Sequence, residues 1–163
     1  MGKISNIVII DDDIEDVNRI QQDTLGKSWG HLTNIRRLGT VEEVLILLST
    51  LAPDLVIINF FVPMVIRRDS EEEMIQTMAS LESQFPEVLR GCDYGDVTGR
   101  IIRHIRKTAQ CPVIIYSDVD RKYVGGHLGE DVLYDSRRVV YRQKLDRTDN
   151  LITAIRNFLP SLP

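Results

Sequence analysis

The chain has 163 residues, with 20 Lys+Arg against 24 Asp+Glu, a formal net charge of −4, 43% apolar and 27% charged residues. That length buries a core without help from disulfides or metals, and the near balance of charge excludes the strongly basic footprint of a dedicated nucleic-acid binder. Two cysteines, Cys92 and Cys111, are too few for a disulfide framework and too far apart for a paired metal motif.

The first strand is predicted over Asn6 to Ile10, an apolar run of the fully buried type. Three aspartates cut it off, so it is too short for a signal peptide or a membrane span; the expectation is an unanchored protein of the reducing cytoplasm, with neither membrane nor nucleic acid as partner. Ile14, Val17 and Ile20 then fall at helical spacing, with Leu25 closing the stripe before Gly26. A weaker, edge-like strand runs from His31 to Leu38 and carries Leu32 and Ile35. Thr40 and Glu43 form a capping box, opening a helix that buries Val41, Val44, Leu45, Leu48 and Leu51.

Asp54 to Phe61 is the clearest strand, with Leu55 to Ile58 unbroken before Asn59. Residues 64–94 are longer than a strand-to-helix connection needs. Ser70 and Glu73 make a second capping box there, and Met74, Met78, Leu81 and Phe85 supply an apolar face, so an inserted amphipathic helix is expected, packed on the body of the protein or, alternatively, on a partner. Next, Ile101, Ile102 and Ile105 interleave with Arg100, Arg103, His104, Arg106 and Lys107: a buried face backed by a solvated basic one. Cys111 to Ser117 is a fourth strand, and Val139 to Tyr141, ending near Lys144, a fifth. Between them Gly125, Gly126 and Gly129 predict a short or broken element, since each interior glycine weakens a helix by about 1 kcal/mol. The last helix covers Thr148 to Leu159 and buries Leu151, Ile152, Ile155 and Leu159. Periodicity that alternates in this way marks an α/β protein with a parallel sheet.

Ligands of such sheets meet the protein beyond the carboxyl ends of the strands. The polar residues predicted there are Asp11, Asp12 and Asp13, then Asn59, Ser117 and Lys144, and they converge if the strand order is 2-1-3-4-5. Carboxylates with a hydroxyl and an ammonium suit Mg²⁺ and a phosphoryl group. Each residue also has a purely structural reading. The aspartates suit the cap and first turn of a helix, Ser117 another cap, and Lys144 a solvated loop. His31, His104 and His127 show no ligand spacing and read as surface residues.

The strings IVIIDDD, DLVIINFFVP, PVIIYS and YRQK, in that order, resemble the receiver (CheY-like) domain of two-component response regulators. The resemblance implies a flavodoxin-like, doubly wound α/β fold with a five-stranded parallel sheet of order 2-1-3-4-5. It implies one receiver-like domain over 1–163, standing alone without an output domain, with a helical insertion over 64–94. By resemblance, Asp11 and Asp12 match the acidic pair that holds Mg²⁺, Asp12 being the direct ligand. Ser117 and Lys144 match the hydroxyl and lysine that contact the phosphoryl group, and Tyr141 matches the aromatic that changes rotamer on activation. Partners would be a histidine kinase or a downstream regulator, and dimerisation is open.

The departures carry the functional reading. The phosphoacceptor position holds Asn59, a neutral amide and a poor nucleophile. A metal site of Asp11, Asp12 and Asn59 has lost charge, so Mg²⁺ affinity should fall. Leu145 stands where the family carries a cis-proline, and a non-proline cis bond costs about 2.5–4 kcal/mol, so a trans bond is expected. Asp118 replaces a small residue. The expectation is a pseudo-receiver that is not an enzyme and acts through protein contacts, with Asp13 as an alternative phosphoacceptor. The rival is an Mg²⁺-dependent phosphohydrolase of the haloacid dehalogenase type, with Asp11 as nucleophile and Asp13 as general acid/base. Against it, Glu15 stands where that family has Thr, and Asn59 to Pro63 go unexplained.

Overall fold

In a computed structural model, residues 4–63, 70–91, 97–128, 138–144, 148–160 and 162 are described. Five short apolar runs pair in parallel as β1 (Ser5–Ile10), β2 (Thr33–Leu38), β3 (Leu55–Ile58), β4 (Val113–Ser117) and β5 (Val139–Gln143). The sheet order is β2-β1-β3-β4-β5, as the sequence predicts. The central strands have no exposed face: Ile7 to Ile10, Leu55 to Ile58 and Val113 to Ile115 are all at most 1% exposed, because helices cover both sides. β2 at the edge alternates half-buried and exposed residues.

One face of the sheet, with Ile7, Ile9, Leu55, Ile57, Ile114 and Tyr116, packs against the first helical segment and the last helix. The first segment runs as α1 (Ile14–Arg19), a wider π-helical stretch (Ile20–Gly26) and α2 (Lys27–Trp29). This corrects two expectations. The helix continues through Gly26 instead of ending there, and Ile14 is 61% exposed. The physical reason is the spacing of the apolar stripe. Val17, Ile20, Leu25 and Trp29 are buried, and the five-residue step from Ile20 to Leu25 matches i→i+5 winding rather than α-helical winding. Ile14, in the first turn, falls off that stripe.

The other face, with Val8, Ile10, Val56, Ile58, Val113 and Ile115, is covered by α3 (Val41–Leu48), α4 (Glu71–Gln84), α5 (Pro86–Leu89), α6 (Val97–Thr108) and α7 (Arg121–Leu128). The Thr40 capping box forms in full. Thr40 Oγ1 accepts the Glu43 N–H at 3.2 Å, and Glu43 Oε2 accepts the N–H groups of Thr40 at 3.0 Å and Gly39 at 2.7 Å. At α4, Ser70 Oγ accepts the Glu73 N–H at 3.2 Å. Leu81 and, from α5, Val88 and Leu89 join the core, with Met74, Met78 and Phe85 packed on it.

Ile101, Ile102 and Ile105 of α6 are fully buried, but its basic face is not merely solvated. Arg100 Nη1 donates to the Arg90 carbonyl at 2.7 Å, and Arg103 Nη2 to the Leu128 carbonyl at 2.6 Å. These two arginines hold the chain at the ends of α5 and α7, where carbonyls lack helical partners. α7 passes through Gly125 and Gly126 as a short helix; Gly129 lies outside the described residues. The last helix, α8 (Thr148–Phe158), buries Leu151, Ala154 and Ile155. No helix among the described residues is long and apolar enough to cross a membrane.

Candidate functional site

The residues that immediately follow β1, β3 and β5 (Asp11, Asn59 and Lys144) lie at one edge of the sheet. The Asp11 N–H donates to the Leu38 carbonyl at 2.9 Å and the Asn59 N–H to the Ile10 carbonyl at 2.8 Å, so pairing of the strands itself fixes both side chains at the carboxyl edge. The Lys144 N–H donates to the Ser117 carbonyl at 3.0 Å, joining the ends of β4 and β5. The exit from β3 is held by a bond from the Thr98 hydroxyl to the Phe60 carbonyl and by the Val41 N–H on the Pro63 carbonyl at 2.8 Å.

Within that frame Asp11, Asn59 and Lys144 touch. Asn59 Nδ2 donates to Asp11 Oδ1 at 3.1 Å, and Asn59 Oδ1 accepts the Phe60 N–H at 2.8 Å. Both ends of the amide are thus committed, and the need of Phe60 for an acceptor and of Asp11 for a donor fixes its orientation. Lys144 Nζ donates to Asp11 Oδ2 at 2.8 Å and to Asp16 Oδ2 at 2.5 Å. The side chains of Lys144, Asp11 and Asp16 are 5%, 3% and 15% exposed. Burial pushes the Lys144 ammonium down from its ordinary pKa, but the hydrogen bonds to Asp11 and Asp16 outweigh it and the net shift is upward.

Asp16 is the residue that sequence reasoning missed. It is the third residue of α1, where a carboxylate in the first turn looks like ordinary dipole compensation, and it also pairs with Arg19. The signal available was its place five residues after Asp11, just over one helical turn beyond the end of β1. The three consecutive aspartates divide their roles. Asp11 is buried in the cluster. Asp13 caps α1, Oδ1 accepting the N–H groups of Glu15 at 2.9 Å and Asp16 at 3.3 Å. Asp12 is exposed and lines a groove of about 260 Å³ with Phe61, Val62 and Pro63. The structural reading of this run as a cap therefore holds for Asp13 alone.

Ser117 is 1% exposed, and its hydroxyl oxygen accepts the Val119 N–H at 3.3 Å. The hydroxyl of half-buried Tyr141 donates to the Val119 carbonyl. The loop after β4 thus links the serine to the aromatic through one residue. Asp118, just after β4, is exposed, and Phe60, Phe61, Tyr123 and His127 form a ring cluster with Tyr123 and His127 centroids 4.5 Å apart. Residues 64–69, Cys92 and Leu145 lie outside the described residues, and so do the expectations attached to them.

The resemblance raises the question of a divalent cation. The oxygens present fit one poorly. Asp11 Oδ1 accepts from Asn59 and from the Asp13 N–H at 3.1 Å, Asp11 Oδ2 carries the Lys144 ammonium, and position 59 offers no charge. A hard cation depends on charged oxygen donors; here an ammonium already sits on Asp11, and Asp12 stands exposed on the groove beside Phe61. Among the described residues, no group of three or more His, Cys, Asp or Glu side chains is placed to hold a metal ion.

No protein-family model matches the chain, and no curated protein matches it in sequence. Solved structures do. A BeF3-activated N-terminal receiver domain of RstA from Klebsiella pneumoniae is similar at 19% identity, with 94% of this chain and 97% of that one covered and a TM-score of 0.59. A CheY-like response regulator receiver domain from Methanospirillum hungatei is similar at 13% identity, covering 98% and 97%, TM-score 0.59. A response regulator from Thermotoga maritima is similar at 15% identity, covering 96% and 98%, TM-score 0.58. Strand order, helix placement and these neighbours agree: the chain has the CheY-like, flavodoxin-like fold of response regulator receiver domains.

Proposed function

We propose that the chain is a receiver-like module of two-component signalling that takes no phosphoryl group at position 59 and acts through protein–protein contacts. The observation that carries this reading is the Asn59 amide, bonded to Asp11 at 3.1 Å at the carboxyl end of β3. A phosphoacceptor there must be anionic to attack phosphorus, and an amide oxygen that already accepts a backbone N–H is neither anionic nor free. Mg²⁺ binding at Asp11, Asp12 and Asn59 would be weak for the same loss of charge.

The partner is a signalling protein, a histidine kinase or a downstream regulator. Its contact surface is α8 and the face around Tyr141, where Arg121, Tyr141, Arg142, Gln143, Asn150 and Thr153 line a groove of about 410 Å³. The phosphohydrolase alternative needs both Asp11 and Asp13 turned to a substrate. The capping bonds of Asp13 and the Lys144 contact of Asp11 weigh against it, and the capping bonds weigh against Asp13 as acceptor.

The test is incubation with acetyl phosphate and Mg²⁺ followed by intact mass. No adduct is expected. A stable aspartyl phosphate on the unmodified chain would refute the proposal, and steady hydrolysis of an aryl phosphate that is lost in Asp11→Asn would establish the rival.

A further inference from the structure

Lys144 bridges two carboxylates in this pocket. Its nitrogen touches one carboxylate at the end of β1 and a second on α1, with all three side chains largely withdrawn from water. Two carboxylates this close repel unless a cation lies between them. The third neighbour, Asn59, contributes no charge and donates to Asp11 from the other side. We propose that Lys144 is the resident cation of this pocket, with Asp16 as the second carboxylate of the site in place of Asp12, so that the cluster closes without a divalent metal.

The inference deepens the receiver-like reading and rests on it only for the comparison with a metal-dependent pocket. Asp16 can serve because the Asp13 cap starts α1 immediately after β1 and carries Asp16 over the end of β5. Asp12, exposed on the groove beside Phe61, is left outside the cluster.

The experiment measures Mn²⁺ binding, by the loss of the free-ion electron paramagnetic resonance signal and by thermal melting, with no phosphoryl donor present. That separates it from the phosphorylation test, which can fail without touching this result. Lys144→Met should gain at least about tenfold in Mn²⁺ affinity over the unmodified chain, within the range over which neighbours of a metal site tune it, and should melt higher with Mn²⁺. Lys144→Arg should gain nothing. Adding Asp16→Asn to Lys144→Met should abolish the gain, whereas adding Asp12→Asn should leave it. The reverse pattern, or Mn²⁺ binding by the unmodified chain as tight as by Lys144→Met, overturns the proposal. Should Lys144→Met fail to fold even with Mn²⁺, Asp16→Asn decides alone. Lys144, held then by one carboxylate instead of two, should be acetylated severalfold faster than in the unmodified chain, read by peptide mass. Unchanged protection overturns the proposal.

Discussion

Asn59→Asp is the substitution that questions this pocket most directly. The amide donates to Asp11 Oδ1 at 3.1 Å. A carboxylate in its place keeps nearly the same shape and the bond from the Phe60 N–H, but turns the contact with Asp11 from attraction to repulsion. A lost hydrogen bond to a charged group is worth about 1.5–3 kcal/mol. Two charges at 3.1 Å repel by roughly 5 kcal/mol at an effective dielectric near 20. Lys144, 2.8 Å from the other oxygen of Asp11, can turn part of its charge toward the new group and offset most of that repulsion. A net loss of about 3 kcal/mol is expected, or roughly 6–12 °C in melting temperature for a chain of this size.

The assay is thermal unfolding of both proteins, first in chelator and then in millimolar Mg²⁺. Three carboxylates now exceed what one ammonium neutralises, so Mg²⁺ should recover most of the loss in the variant; a ligand at about 100 times its Kd returns about 2.7 kcal/mol. A variant as stable as the parent in chelator, with no response to Mg²⁺, would refute the placement of Asn59 against Asp11.

Leu81→Ala, at a site 4% exposed, should cost about 2–5 kcal/mol by denaturant unfolding; a loss below about 0.5 kcal/mol, typical of a surface position, would show that α4 does not belong to the core. Lys144 has its pKa raised above 10.5 in the folded state, so its ion pairs stabilise fully below 10.5 and are lost as pH rises through the raised value. Urea midpoints of the unmodified chain should accordingly fall more steeply above that pH than those of Lys144→Met. Burial pushes the Cys111 thiol up to about 11, so iodoacetamide at neutral pH should leave Cys111 unlabelled in the native protein and label it on unfolding, read by peptide mass.

Much of this protein is written in local pattern. Unbroken runs such as Leu55 to Ile58 and Val113 to Ile115 locate central strands because only a strand covered on both faces can be apolar at every position. Thr40 with Glu43, and Ser70 with Glu73, mark helix starts because caps act over three residues. Asp11, Asn59 and Lys144 were legible for the same reason: each is the polar residue that ends such a run, and a parallel sheet collects those ends at one edge. What the sequence alone could not determine depends on groups far apart along the chain. Whether Asp12 or Asp16 meets Lys144 is set by the angle at which α1 leaves the Asp13 cap and by where β5 ends beside it. Arg100 and Arg103 look solvated until the ends of α5 and α7 present bare carbonyls to them. The π-helical stretch, which brings Trp29 into the core at 1% exposure, follows from a five-residue apolar step whose meaning appears only once the sheet beneath it is in place.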